Sequence, residues 1–157
     1  MLVRDVMTRD PVTIQADAPI REAAALLRKH NIGGLPVMEG DRLVGMITES
    51  DILRLLQTGR ISDDLWLPSP LEVIEVPIRE FINWEKTRRA LTSIGDREVR
   101  MVMSQPPVTI SDDADIEEAA SLMLSRKIAR LPVMRGDTLV GIVARSDIIR
   151  GIAQEGA

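Results

Sequence analysis

Two acidic positions are placed for chemistry. Asp51 closes the run Thr48-Glu49-Ser50-Asp51, and Asp147 closes Ala144-Arg145-Ser146-Asp147. At both, an apolar β-type stretch passes into a helical pattern. Backbone N–H groups at a helix start lack intrahelical partners and carry partial positive charge, so the place favours an anion such as phosphate. A carboxylate one turn in can accept bonds from two vicinal hydroxyls at once, the arrangement a ribose presents. The Thr48 hydroxyl can reach either a phosphate or the helix backbone. The same Thr-x-x-Asp pattern also makes a helix cap that needs no ligand. Both readings stand, and they can coexist.

The elements that must position these carboxylates occur twice. With Val3 set over Val99, about 29 of 54 positions are identical at a constant offset of 96. Pro11-Val12-Thr13-Ile14 falls on Pro107-Val108-Thr109-Ile110, and Leu35-Pro36-Val37-Met38 falls on Leu131-Pro132-Val133-Met134. Leu43-Val44-Gly45 meets Leu139-Val140-Gly141, and Ser50-Asp51-Ile52 meets Ser146-Asp147-Ile148.

In each copy the pattern predicts a strand at Val12–Ile14, then a helix after Pro19, whose missing N–H suits a helix start. Ile20, Ala23, Ala24 and Leu27 recur on that helix at helical spacing. A strand at Leu35–Met38, a turn at Glu39–Arg42, a strand at Leu43–Thr48 and a helix from about Ser50 to Gln57 complete it. The order is β-α-β-β-α, twice. So few short strands cannot cover both faces of a sheet, so the copies are expected to pack on each other.

Val6-Met7, Pro11-Val12-Thr13, Leu35-Pro36-Val37 and Gly45 to Ile52, with their counterparts from Val102 to Ile148, resemble the cystathionine-β-synthase (CBS) domain. Such domains occur as tandem pairs called Bateman modules. The resemblance implies an α+β fold of two motifs packed as a pseudo-twofold pair. It also implies clefts between the copies that bind adenosine nucleotides, and disc-shaped dimers. By resemblance, Asp51 holds a ribose and Thr48 assists with phosphate, while Thr13 and Thr109 approach an adenine. Pro36 and Pro132 are expected to shape the cleft walls.

The copies differ where it matters. Ala144 replaces the Thr48 hydroxyl, although Ser146 and Asp147 remain, and Gly34 aligns with Arg130. In the family, the residue before the Leu-Pro-Val strand of one copy approaches the phosphate of a nucleotide whose ribose the other copy holds. Arg130 would then face the phosphate at Asp51, since guanidinium suits phosphate, and Gly34 would face that at Asp147. A surface ion pair is the alternative for Arg130. The expectation is a stronger Asp51–Arg130 site, with the Asp147 site weak, empty or differently selective.

Composition narrows the function class. Apolar residues make 45% and charged residues 28% of 157, with net charge −4 and no basic patch of the kind that binds nucleic acid. No stretch approaches the roughly 20 apolar residues of a membrane span. Charges at Arg4 and Asp5 interrupt any signal-peptide core. With no Cys and one His, which is expected to serve helix termination at His30, neither disulfides nor a thiolate or imidazole metal site is expected. No nucleophile with a neighbouring base and no Walker-type loop is legible.

The reading is a cytoplasmic, non-catalytic sensor. It would bind AMP, ADP or ATP as a regulatory ligand, need no cofactor, form a homodimer and signal to an unidentified effector protein. S-adenosylmethionine or another adenosyl ligand, or a dimerisation module with degenerate clefts, are the alternatives.

The chain divides into a first motif at 1–58, a connector at 59–97 and a second motif at 98–157. Pro68, Pro70 and Pro77 break the connector, and a helix is predicted from Ile78 to Ile94 with Gly95 ending it. The three aromatics, Trp66, Phe81 and Trp84, all fall there, suited to covering an apolar face, to a dimer interface or to stacking on adenine.

Overall fold

The computed structural model describes residues 1–57 and 88–155. The first half contains α1 (Val3–Val6), β1 (Thr8–Arg9), β2 (Ile14–Gln15), α2 (Ile20–His30), β3 (Gly34–Glu39), β4 (Arg42–Thr48) and α3 (Glu49–Gln57). A helical stretch at 88–96, α4, leads through a 3-10 turn at Val99–Met101 into the second half. There follow β5 (Ile110–Ser111), α5 (Ile116–Arg126), β6 (Arg130–Arg135), β7 (Thr138–Ala144) and α6 (Arg145–Glu155). From Pro11 and from Pro107 onward, both halves show the expected β-α-β-β-α order in an α+β architecture.

The helices form because apolar residues recur on one side. On α2, Ile20, Ala23 and Leu27 are buried, Pro19 occupies the N-cap, and Asn31 ends the helix in the left-handed region at φ 51°. The two hairpins share one register at the 96-residue offset: Gly34 faces Thr48 and Arg130 faces Ala144. Even the irregularity recurs, between Val37 and Met38 and between Val133 and Met134. The first strand of each unit is shorter than its sequence suggests, because pairing begins only at Ile14 and Ile110.

The halves exchange their leading segments. Val3, Val6 and Met7 lie in the core of the second copy with Ile110, Met123, Leu131 and Val143. Val99 lies in the core of the first copy with Leu27, Leu35 and Ile47. Val3 N–H donates to Ala114 O at 2.8 Å, and Val99 N–H donates to Ala18 O at 2.9 Å. β1 pairs with β7, giving the sheet order β1-β7-β6-β5, while Ser104 bridges Met46 at the edge of the β2-β3-β4 sheet. The repeats are thus continuous in sequence, but the packed units are not.

Gly45 and Gly141 permit this crossing. A Cβ at Gly45 would stand 2.7 Å from the Ser104 carbonyl oxygen, and one at Gly141 would stand 2.8 Å from that of Thr8. Both distances are shorter than real side chains tolerate, so the crossing strand requires glycine beneath it.

α4 seats on the first half through Ala90 and Ile94, which pack with Ile20, Ile52 and Val102. Its buried face uses an i, i+4 pair, and Leu91 is half exposed. The helix runs through Gly95 to residue 96, so Gly95 is not its terminator; Arg97 N–H closes on Ile94 O at 3.1 Å instead. Trp66, Phe81 and Trp84 lie outside the described residues. Among those described, no helix is long and apolar enough to cross a membrane.

Candidate nucleotide clefts

Asp51 is buried at the start of α3, its side chain 3% exposed. Its Oδ2 accepts the Thr48 N–H at 2.9 Å and the Thr48 hydroxyl at 3.1 Å, and Thr48 Oγ1 accepts the Asp51 N–H at 3.3 Å. The capping arrangement is therefore complete. Glu49 N–H donates to Gly33 O at 3.0 Å. Two of the N–H groups at this helix start, those of Glu49 and Asp51, are thus engaged within the protein. Oδ1 accepts from the Arg54 guanidinium and lies 3.5 Å from the Ser104 hydroxyl. A sugar hydroxyl would reach this oxygen by displacing the exposed Arg54.

Asp147 repeats the pattern with two donors fewer, lacking the Thr48 and Ser104 hydroxyls. Its Oδ2 accepts the Ala144 N–H at 2.8 Å, and its Oδ1 accepts from Arg150 at 2.8 Å. Arg150 also donates to Val6 O at 3.3 Å, tying the carboxylate to the exchanged segment.

Each carboxylate opens on a cleft built by both halves. The Asp51 cleft, about 440 Å³, includes Thr48, Ser50, Ser104, Pro107, Val108 and Arg130. The Asp147 cleft, about 330 Å³, includes Pro11, Val12, Gly34, Ala144, Ser146 and again Arg130. Both volumes lie in the range of small-molecule sites. Arg54, Arg126, Lys127, Arg130 and Arg145 line the first against the single carboxylate of Asp51. The second holds Arg130 against Asp10 and Asp147.

Thr48, Asp51 and Arg130 thus come together, as do Ser146 and Asp147. Thr13 does not join Asp51: it lines a separate recess with Asp10, Asp41 and Asp137. Thr109 is exposed and lines neither cleft. Val12 and Val108, just ahead of the paired strands, line the clefts in place of the threonines that follow them. The exchange further sends Pro11-Val12 to Asp147 and Pro107-Val108 to Asp51. Pro36 and Pro132 are fully buried opposite Met46 and Ile142, within the sheets, and are not cleft wall. β2 and β5 begin pairing one residue later, where a missing N–H no longer matters.

Arg130 is half-buried and forms no ion pair among the described residues. Burial pushes its pKa down; Glu49 nearby opposes this and Arg145 adds to it. A guanidinium so placed stays charged at neutral pH. His30 ends α2, exposed.

Arg54, Arg126, Lys127, Arg145 and Ser104 were not singled out in sequence. The comparison that exposes Gly34 against Arg130 also sets His30, Asn31 and Glu49 against Arg126, Lys127 and Arg145. Arg54 and Arg150 recur three residues after each aspartate, at ion-pair spacing on a helix. Lys127 holds the left-handed conformation at φ 55°, a strain that a non-glycine residue sustains at the cleft wall.

A family model described as the CBS domain matches residues 3–58 and 97–154. The chain belongs to the CBS domain family. This CBS pair is 36% identical over 154 residues to protein MJ1426 of Methanocaldococcus jannaschii, covering 97% of the chain and 91% of the relative. Its fold matches the CBS domain pair of protein MJ0100, solved with 5-methylthioadenosine and S-adenosyl-L-methionine, at TM-score 0.71 and 25% identity, covering 99% and 98% of the two chains. It also matches CBSX2, from Arabidopsis thaliana, solved with AMP, at TM-score 0.70 and 23% identity, covering 99% and 98%.

Proposed function

We propose that this CBS pair is a non-catalytic sensor whose Asp51 cleft binds an adenosine nucleotide through its phosphates. The supporting observation is the convergence of five cations on a cleft with one carboxylate. Phosphate is matched by guanidinium forks and by a lysine point charge, and a partly enclosed cleft screens these charges less than open water does. The ribose falls to Asp51. The same charge disfavours the sulfonium of S-adenosylmethionine, so AMP, ADP or ATP is the ligand class. AMP in CBSX2 and the two adenosyl compounds in MJ0100 are what those pairs hold, which supports an adenosine-containing ligand here.

Occupancy would reach an effector through the packing of the halves, because a ligand contacting both favours one relative arrangement. A homodimer is part of the reading. Leu53 and Leu56 on α3 and Ile149 and Ile152 on α6 are exposed apolar residues at equivalent positions, a paired face suited to a second copy.

Calorimetry with AMP, ADP, ATP and S-adenosylmethionine tests the ligand. Asp51→Ala is expected to weaken nucleotide binding at least tenfold, about 1.4 kcal/mol. If Asp147→Ala alone removes the tight site, the assignment is reversed.

A further inference from the structure

Arg130 borders both clefts, and its mirror position is Gly34, so one guanidinium serves two sites. Gly33 and Gly34 make the room. A Cβ at Gly33 would overlap the Arg130 Nη2 atom, and one at Gly34 would stand 2.8 Å from Cδ. Among the described residues the guanidinium makes no hydrogen bond or ion pair, although it is only partly exposed. It is therefore a cation held by no hydrogen bond, with Glu49 as its neighbouring opposite charge, seated between two cavities. The first cleft has four further cations in its lining; the lining of the second has none and adds Asp10 to Asp147, whose own partner is Arg150 just behind it.

We propose that the two clefts compete for Arg130, so that a nucleotide phosphate in the Asp51 cleft leaves the Asp147 cleft selective for a phosphate-free adenosyl compound. This rests on the reading of the Asp51 cleft as a nucleotide site and adds a rule for its neighbour. A phosphate beside Arg54, Arg126, Lys127 and Arg145 draws the Arg130 guanidinium toward them. The Asp147 cleft then keeps two carboxylates in its lining, Asp147 held by Arg150 and Asp10 with no ion pair among the described residues. Its carboxylate can still accept ribose hydroxyls, whereas a second phosphate meets repulsion. The coupling is reciprocal: phosphate bound at Asp147 would weaken binding at Asp51 by the same factor.

Calorimetric titration of the whole chain with ADP, followed by adenosine, tests this. One ADP is expected to bind tightly and a second at least roughly tenfold more weakly. Protein loaded with the first ADP is expected to take one equivalent of adenosine, lost in Asp147→Ala. Arg130→Gln should weaken the first ADP about tenfold and remove the effect of the first ADP on the second. Arg130→Lys, which keeps the charge, should recover most of the first, a rescue that a purely structural role would not show. Melting temperatures of both variants establish that they fold. Two equal and independent ADP sites would overturn the proposal, as would exclusion of adenosine by ADP; either leaves nucleotide binding at Asp51 standing. Absence of ADP binding at Asp51 removes both readings.

Discussion

The Asp51 and Asp147 clefts share a backbone and differ in what their walls carry. Their hairpins have the same register, their aspartates each cap a helix and pair with an arginine three residues on, and each is closed by a segment from the opposite half. Yet one concentrates positive charge and the other does not. The lesson is that duplication supplied the geometry, while a few substitutions at the C-terminal end of one helix, the strand that follows and the next helix start set the electrostatics. Arg126, Lys127, Arg130 and Arg145 are close in the fold but spread over twenty positions of chain, and the other half has His30, Asn31, Gly34 and Glu49 in their places. The loss of a hydroxyl at Ala144 matters less, because the Thr48 hydroxyl is engaged by Asp51 itself.

The likeness of the halves breaks most severely if the crossing segments are displaced. Gly45→Val and Gly141→Val should each cost about 3 kcal/mol, since overpacking against a backbone carbonyl has little room to relax. Equal shifts in thermal or urea unfolding would support equivalent crossings; a negligible shift at either position would mean that segment does not lie where described. The contrast in charge is sharpened by giving the first cleft the other's residues. The combined variant Arg126→His, Lys127→Asn, Arg145→Glu should lower ADP affinity roughly 100-fold, about 2.7 kcal/mol, and flatten its dependence on salt. Retained affinity in calorimetry would show that these cations are solvated bystanders. The smallest effect is expected at the caps. Thr48→Ala should cost about 1 kcal/mol of stability, with Ala144→Thr recovering part of that in the other half. ADP affinity should stay within about threefold, because the hydroxyl is already bound within the protein; a much larger loss would place Thr48 on the phosphate.

Much of the fold was legible because it is local. Ile20, Ala23 and Leu27 mark α2 by spacing, Pro19 marks its start, and the apolar run after the Glu39–Arg42 turn marks β4. Gly95 misled because glycine is common beyond helix ends, yet packing of Ile94 onto Ile20 carries α4 past it. Thr13 and the two prolines were assigned to the clefts from resemblance. Thr13 instead lines a recess with Asp10, Asp41 and Asp137, and the sheets bury Pro36 and Pro132.

The sequence alone determined that one unit is used twice, that each copy runs β-α-β-β-α, and that Gly34 against Arg130 makes the copies unequal. Those properties depend on neighbours a few residues apart or on direct alignment of the repeats. Only the tertiary structure decided that the leading segments change places, that five cations meet at one cleft, and that Arg130 stands between two. Each of these depends on contacts between residues far apart in the chain, where core packing, and not local pattern, chooses the partner.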